Sequence, residues 1–457
     1  MRLVVDSGAV LAGAPPPLVA RLKEALTFPN PRYVAAKKYS RWIGKKLQPT
    51  LSFYREDALG LHFPRGFAAE SVRICRAVTG GRPEIDDRRT QCPPVALEFT
   101  GRLRPYQQAA VAALLRREFG VLEAATGSGK TVIALAAIAA REQPTLIVVH
   151  TKELLYQWQE RIASFLGIEA GLIGDGHAEV GAVTVGIVNS IKKSAPDLAK
   201  KTGMLVVDEC HRVPASLFTE VVTAFACRYM LGLSATAFRS DGLSRLITYY
   251  LGEVSHRVDQ QMLEESGAIL RPAYLQKPTA FTCRYRGDYQ ELLKKLTADP
   301  GRNRQIVADI VQACRETKST VLVVSDRVAH CELLERMLQA EGIATILLTG
   351  QLAAGQRQEA VQRIGQGRAE AVIATIQLIG EGFDCAGLDT LFLTTPIKFS
   401  GRLLQVVGRI LRPAAGKTAT VHDYVDQVGV LRKSALLRRS LFEATEAEAP
   451  LFAYSSR

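Results

Sequence analysis

Long apolar runs, paired cysteines and biased tracts are what this chain lacks. No hydrophobic stretch approaches the ~20 residues that span a bilayer, so no membrane partner is expected. The eight cysteines (Cys75, Cys92, Cys210, Cys227, Cys283, Cys314, Cys331 and Cys385) are scattered with no C-x-x-C pair. That removes the usual ligand spacing of zinc and iron–sulfur sites and leaves the thiols of a reducing cytoplasm as the default. There is no low-complexity tract and no repeat of solenoid length. The opening MRLVVDSGAVLAGA carries one basic residue and is broken by Asp6, so it reads as a first strand and turn rather than a secretion signal.

What is in excess is positive charge. The 457 residues carry a formal net charge of +13 and are too many for one ordinary core, so two or three domains are expected. Hydrophobic residues at 47% and charged residues at 23% are those of a folded soluble protein. Residues 1–95 hold 16 Lys/Arg against 8 Asp/Glu. Within them NPRYVAAKKYSRWIGKKLQP has six basic residues and no acid, interleaved with Tyr33, Tyr39 and Trp42. Basic side chains neutralise phosphates and aromatic faces stack on bases. Lys37, Lys38, Arg41, Trp42, Lys45 and Lys46 are therefore candidate nucleic-acid contacts. The plainer alternative is a solvated basic surface whose aromatics pack inward.

From about 96 to 255, short β-rich runs (VLEAAT, TLIVVH, AVTVGIV, MLVVDE, YMLGLSAT) alternate with helical segments such as TVIALAAIAAREQ and KELLYQWQERIASFL. A charged stretch follows, and the alternation resumes with TVLVVSD, ATILLTG, AVIATI, TLFLTT and ATVHDYV. Such alternation predicts α/β lobes, each a parallel sheet covered by helices on both faces. The expected organisation is a small basic α+β accessory domain (1–95), a first lobe (96–255), a linker (256–304) and a second lobe (305–457). RYRGDYQELLKKL in the linker reads as a small thumb-like insertion or as a plain linker helix.

AATGSGKT, Ala124–Thr131, follows a strand and opens a helix, the setting in which a phosphate-binding loop forms. Gly127 and Gly129 let backbone N–H groups turn toward phosphate, with Thr126 and Ser128 between and beside them, and the helix N-terminus adds favourable partial charge. Lys130 would reach the β- and γ-phosphates of ATP, and the Thr131 hydroxyl would ligate Mg²⁺. Ala124 stands where the usual pattern has its first glycine. MLVVDECH then delivers Asp208 and Glu209 at the carboxyl end of a buried strand, where α/β sheets bind ligands. Asp208 suits Mg²⁺ and Glu209 suits polarising the attacking water. In the second half, Gln405, Arg409 and Arg412 of LLQVVGRILRP are spaced i, i+4, i+7 and share one helix face.

With DECH at Asp208–His211 and AATGSGKT upstream, the chain resembles the DExH group of superfamily 2 helicases, whose other motifs follow in order. The resemblance implies two RecA-like lobes in tandem. It implies that Gln107 reads the adenine edge, with Arg104 or Tyr106 flanking the base. Gly382 and Asp384 of GEGFD would lie near the ribose, Gln405 at the γ-phosphate or attacking water, and Arg409 and Arg412 would act as arginine fingers. His211, Ser234 and Thr236 would couple hydrolysis to lobe movement. Strand contacts would come from Thr151 in the first lobe and Ser325, Thr349 and Thr375 in the second. His150 and Ala237 each replace a proline of the family pattern.

Within the superfamily the chain is most similar to the branch of XPB-type repair helicases, phage UvsW-like enzymes and restriction-motor subunits. GLSATAFRSDG, FSGRLLQVVGRILRP and HDYVD carry this closeness, as do LTFPNPRY and LHFPRGF near the N-terminus. The Arg-Glu-Asp element of XPB proteins is incomplete here, as Arg239-Ser240-Asp241. The implied function is a 3′→5′ DNA helicase or translocase acting on forked or branched DNA, with RNA or RNA–DNA hybrid as further candidate substrates. A cytoplasmic, nucleoid-associated protein of bacterial or phage type is expected, monomeric in its basic unit. One alternative is the duplex-translocating motor of a restriction or defence system. About 30 residues after HDYVD cannot hold a nuclease, so cleavage would need a nuclease or repair partner. The other alternative, a clamp that does not hydrolyse ATP, sits poorly with an intact Lys130, Asp208, Glu209, Arg409 and Arg412.

Overall fold

The computed structural model describes residues 1–38, 42, 47–125, 127–211, 215–235, 243–258, 260–268, 270, 272–316, 320–350, 352, 354–379, 388–397 and 419–443. Two compact units form, Met1–Ala125 with Gly129–Asp259, and Thr126–Ser128 with Gln260–Arg457.

The N-terminal region is α+β. Strands β1 (Arg2–Val5) and β2 (Ala9–Ala12) make a hairpin whose alternation buries Leu3, Val5, Ala9 and Leu11 on one face. β3 (Thr27–Pro29) and β4 (Thr50–Ser52) form a separate antiparallel ribbon. With β5 (Arg55–Asp57), β6 (Gly60–Phe63) and β7 (Glu84–Asp87) the main sheet runs β5-β6-β2-β1-β7. The helix Pro16–Ala25, opened by prolines that have no N–H to leave unpaired, packs Leu18 and Leu22 on this sheet. Helix Ala68–Thr79 adds Cys75.

This module shares a core with the first lobe. Tyr249, on the helix Arg245–Leu251, sits among Phe28, Phe53 and Phe67 at ring separations of 6.3, 5.6 and 5.6 Å and donates to the Ala25 carbonyl at 2.6 Å. A Cβ on Gly66 would lie 2.6 Å from the Gly252 nitrogen, so only glycine permits this approach. Arg65, 1% exposed, donates to the carbonyls of Asp6 (3.1 Å) and Cys227 (3.0 Å), and its guanidinium lies 5.3 Å from the Phe119 ring centroid.

The first lobe is an eight-stranded sheet. β8 (Phe119–Ala124), β9 (Thr145–Val149), β10 (Gly171–Gly174), β12 (Val183–Ile187), β13 (Met204–Val207), β14 (Tyr229–Ser234) and β15 (Val254–Val258) are parallel, and β11 (His177–Ala178) adds an antiparallel edge. The order is β11-β10-β12-β9-β13-β14-β8-β15. β9 and β13 are buried along their whole length, the pattern of strands covered on both faces. Phe119 opens β8 and Cys227 precedes β14, so Arg65 meets the sheet at the strands' amino ends.

The second unit carries six parallel strands in the order β16-β21-β20-β17-β19-β18. β17 (Thr320–Ser325), β18 (Thr345–Leu348), β19 (Ala371–Thr375), β20 (Leu388–Leu393) and β21 (Thr420–Val425) follow the apolar runs. β16 (Ala273–Pro278), inside the charged stretch 256–304, pairs in parallel with β21. It is an edge strand with no fully buried residue, so its sequence has no apolar signature. The seven described cysteines form no disulfide. Among the described residues no helix is long and apolar enough to cross a membrane.

Candidate active site

The carboxyl ends of β8, β9, β13 and β14 lie along one edge of the first sheet, because these strands are parallel. β8 leads into the glycine loop. Gly127 and Gly129 have φ of +90° and +77°, a region L-residues avoid. Gly129 is also crowded, since a Cβ there would lie 2.5 Å from the Gln107 Nε2. The helix Lys130–Arg141 begins at the next residue, and Lys130 Nζ donates to the Ala124 carbonyl at 3.0 Å. Its ammonium is thereby held over the loop it belongs to.

Arg104 precedes the helix Pro105–Leu115, and its amide donates to Gln107 Oε1 at 2.9 Å. Tyr106 and Gln107 are buried. Gln107 therefore presents its amide nitrogen to the loop, while its oxygen is taken by its own helix N-terminus.

β13 delivers the acidic pair. Asp208, 7% exposed, accepts at Oδ2 from the Trp158 indole (2.8 Å) and at Oδ1 from the Glu209 amide (2.8 Å). Burial, and then the Glu209 carboxylate, push the Asp208 carboxyl up to about 6, while the indole and Lys130 pull the other way. Glu209 holds φ of +45°, a strained backbone for a residue with a Cβ. Its Oε2 lies 3.3 Å from His211 Nδ1, which also meets the Ser234 hydroxyl at 2.9 Å. Both contacts fall on the same ring nitrogen, so Glu209, His211 and Ser234 cluster between the end of β13 and the end of β14.

Thr151 follows β9, caps the helix Lys152–Leu166 and accepts from the Leu154 amide at 3.3 Å. In the second unit Ser325 and Thr375 end β17 and β19, and Thr349 follows β18; all three are buried. The Ser325 hydroxyl meets His330 Nδ1 at 3.0 Å and accepts from the Arg327 amide at 3.2 Å. In the basic N-terminal segment Lys37 is exposed on the helix Pro31–Lys38 and Trp42 is 88% exposed. Thr126, Thr236, Gly382, Asp384, Gln405, Arg409, Arg412, Arg41, Lys45 and Lys46 lie outside the described residues, as does the side chain of Lys38. Sequence reasoning missed Trp158. The QW pair marks it, but an indole at helical spacing does not say whether it packs or donates.

Two parallel-sheet lobes in tandem, one with a glycine loop and an acidic pair at its strand ends, define a RecA-like nucleotide-binding protein. Residues 100–239 match the family described as the res subunit of type III restriction enzymes, and residues 303–414 match the helicase conserved C-terminal domain. The chain belongs to the superfamily 2 helicases, in the XPB/UvsW branch. It is 37% identical over 155 residues to the DNA 3'-5' translocase XPB2 of Sulfurisphaera tokodaii, covering 34% of this chain and 35% of that one. Identity is 28% over 353 residues to a putative ATP-dependent RNA helicase of Acanthamoeba polyphaga mimivirus, covering 73% of this chain and 66% of that one. The ATP-dependent DNA helicase uvsW of Enterobacteria phage T4 is 25% identical over 360 residues, covering 73% and 71%. The chain thus spans less than two thirds of the length of the first two relatives. In fold it is similar to Dbp5 of S. cerevisiae, with TM-score 0.54 at 15% identity, covering 74% of this chain and 87% of that one.

Proposed function

We propose that this protein hydrolyses ATP to move along nucleic acid, as a 3′→5′ DNA helicase or translocase that remodels forked or branched DNA. The observation that carries this reading is the buried Asp208, with the half-buried Glu209 next to it and the Lys130 charge near enough to act on it, and with His211 Nδ1 against both Glu209 and Ser234. Lys130 and the loop amides would hold the triphosphate, and Gln107 would select adenine. Glu209 would accept the proton of the attacking water. The His211–Ser234 link would pass the change in charge at Glu209 to the residues after β14.

The residues fit a divalent cation. Burial and then the Glu209 carboxylate push Asp208 up to about 6, and a nearby divalent charge would offset both, while Thr131 stands in the first turn of the helix Lys130–Arg141. Asp208 and Thr131 would hold Mg²⁺, which when bound neutralises charge on the phosphates.

Support for polarity and substrate comes from the names of the relatives, among which are a 3'-5' translocase, a DNA helicase and a putative RNA helicase. The exposed Trp42 and the basic residues around it support substrate contact by the N-terminal segment. The test is ATP turnover across single-stranded, duplex, forked and four-way substrates, with strand displacement from 3′ and 5′ tails and RNA counterparts. Highest turnover on forked or four-way DNA, with displacement from the 3′ tail, is expected. Equal turnover on plain duplex without displacement would favour the restriction-type motor instead.

A further inference from the structure

Both oxygens of Asp208 are engaged from fixed directions, by the Trp158 indole at 2.8 Å and the Glu209 amide at 2.8 Å. The carboxylate plane is set, and its remaining lone pairs are left for a ligand. Trp158 is 1% exposed, so the indole has no path to a nucleotide of its own. It stands on the buried face of the helix Lys152–Leu166 with Leu155, Ile162 and Leu166. That helix begins at Thr151, whose hydroxyl caps it at the carboxyl end of β9. From Thr151 to Trp158 is about two helical turns, roughly 10 Å. One rigid element therefore carries both Thr151, the first-lobe residue expected to meet the strand, and the indole that holds the Asp208 carboxylate.

We propose that Trp158 is the positioning residue through which nucleic acid gripped at Thr151 sets the Asp208 carboxylate, so that strand binding stimulates hydrolysis. The proposal rests on the reading of Asp208 and Glu209 as the hydrolytic pair and of Thr151 as a strand contact. A charge-assisted hydrogen bond in a buried site is short and directional, so a small shift of the helix carries the carboxylate with it. Thr151 supplies the grip, the helix transmits it, and the indole N–H orients the acceptor. Partners of this kind to ligating groups typically matter about 10–100-fold in metal affinity or activity.

The chain has two tryptophans, Trp42 and Trp158, which makes a single-atom test available. In a Trp42→Phe protein, replacing tryptophan by β-(3-benzothienyl)alanine alters position 158 alone, keeping its shape and putting sulfur in place of N–H. Three quantities are compared with the Trp42→Phe parent: DNA-stimulated kcat, KM for ATP, and Mn²⁺ affinity in the presence of ADP by electron paramagnetic resonance. The expected result is a fall in kcat of about tenfold, a severalfold loss of Mn²⁺ affinity, and KM within about twofold. Unchanged kcat and Mn²⁺ affinity would reduce Trp158 to a packing residue. Glu209→Gln in the same background separates the failures. If it keeps near-normal turnover, the hydrolytic reading falls and the Trp158 proposal with it. If it is inactive while the sulfur analogue matches its parent, only the Trp158 proposal falls.

Discussion

Gly129 and Gly167 share a left-handed backbone, with φ of +77° and +65°, but not their surroundings. At Gly167 a Cβ would meet nothing within 4 Å, whereas at Gly129 it would press on Gln107 Nε2 at 2.5 Å. Alanine at 167 should therefore cost only the left-handed penalty, about 1–2 kcal/mol, and leave nucleotide affinity alone. Alanine at 129 should in addition displace Gln107 and weaken binding of a fluorescent ATP analogue at least about tenfold, since it disturbs the loop that cradles phosphate. Equal affinities for the two variants would contradict this. A second residue-scale prediction concerns acid. His330, 2% exposed, is pulled down to about 3 by burial and then by Arg302, while His422 is pulled down to about 4 by burial and then by Lys277. Both are neutral in the fold, but in the unfolded chain each takes a proton near its ordinary 6.5. Their contribution is complete above pH 6.5 and is lost progressively as pH falls toward the folded values, by about 1.4 kcal/mol per pH unit for each. Urea midpoints of the wild type should fall between pH 7.5 and 5, and His330→Gln should flatten that slope; equal slopes would contradict it.

Among the elements, the one most firmly placed by a single side chain is the 3-10 turn Arg65–Phe67, which ties the N-terminal module to the first lobe. Arg65 satisfies two carbonyls from two parts of the fold, and burial lowers the affinity of its guanidinium for its proton. Arg65→Met should leave those carbonyls without a donor and lower unfolding free energy by about 1–3 kcal/mol in urea titrations. A loss under about 0.5 kcal/mol would mean that the aromatic cluster around Tyr249 holds the module unaided. Nothing in the sequence marks Arg65 apart from its neighbours, because its partners are backbone carbonyls distant in the chain. The strands of the two lobes were legible for the opposite reason. Runs such as Thr145–Val149 and Met204–Val207 are buried throughout and carry their environment in their composition. Gly171–Gly174, Val254–Val258 and Ala273–Pro278 were not legible, being glycine-bounded or half-polar strands whose pairing depends on neighbours. At the site, the glycine loop and acidic pair could be read from spacing. The indole on Asp208 could not, since the hydrogen bond joins residues 50 positions apart.

For the molecule as a whole, a net charge of +13 concentrated toward the N-terminus should appear as salt dependence. Reversing Lys37, Lys38, Lys45 and Lys46 to glutamate should weaken DNA binding and flatten the slope of log affinity against log salt by about one unit for each phosphate no longer neutralised. Unchanged affinity and slope would remove this segment from the interface. The central claim is that the Lys130 loop and the Asp208–Glu209 pair form an ATP-hydrolysing site driven by nucleic acid. ATP turnover with and without DNA, in the wild type, Lys130→Ala and Glu209→Gln, tests it most directly. The account predicts turnover that rises with DNA in the wild type and falls about a hundredfold or more in both variants, with their folds intact. Near-normal DNA-stimulated turnover in either variant would contradict it.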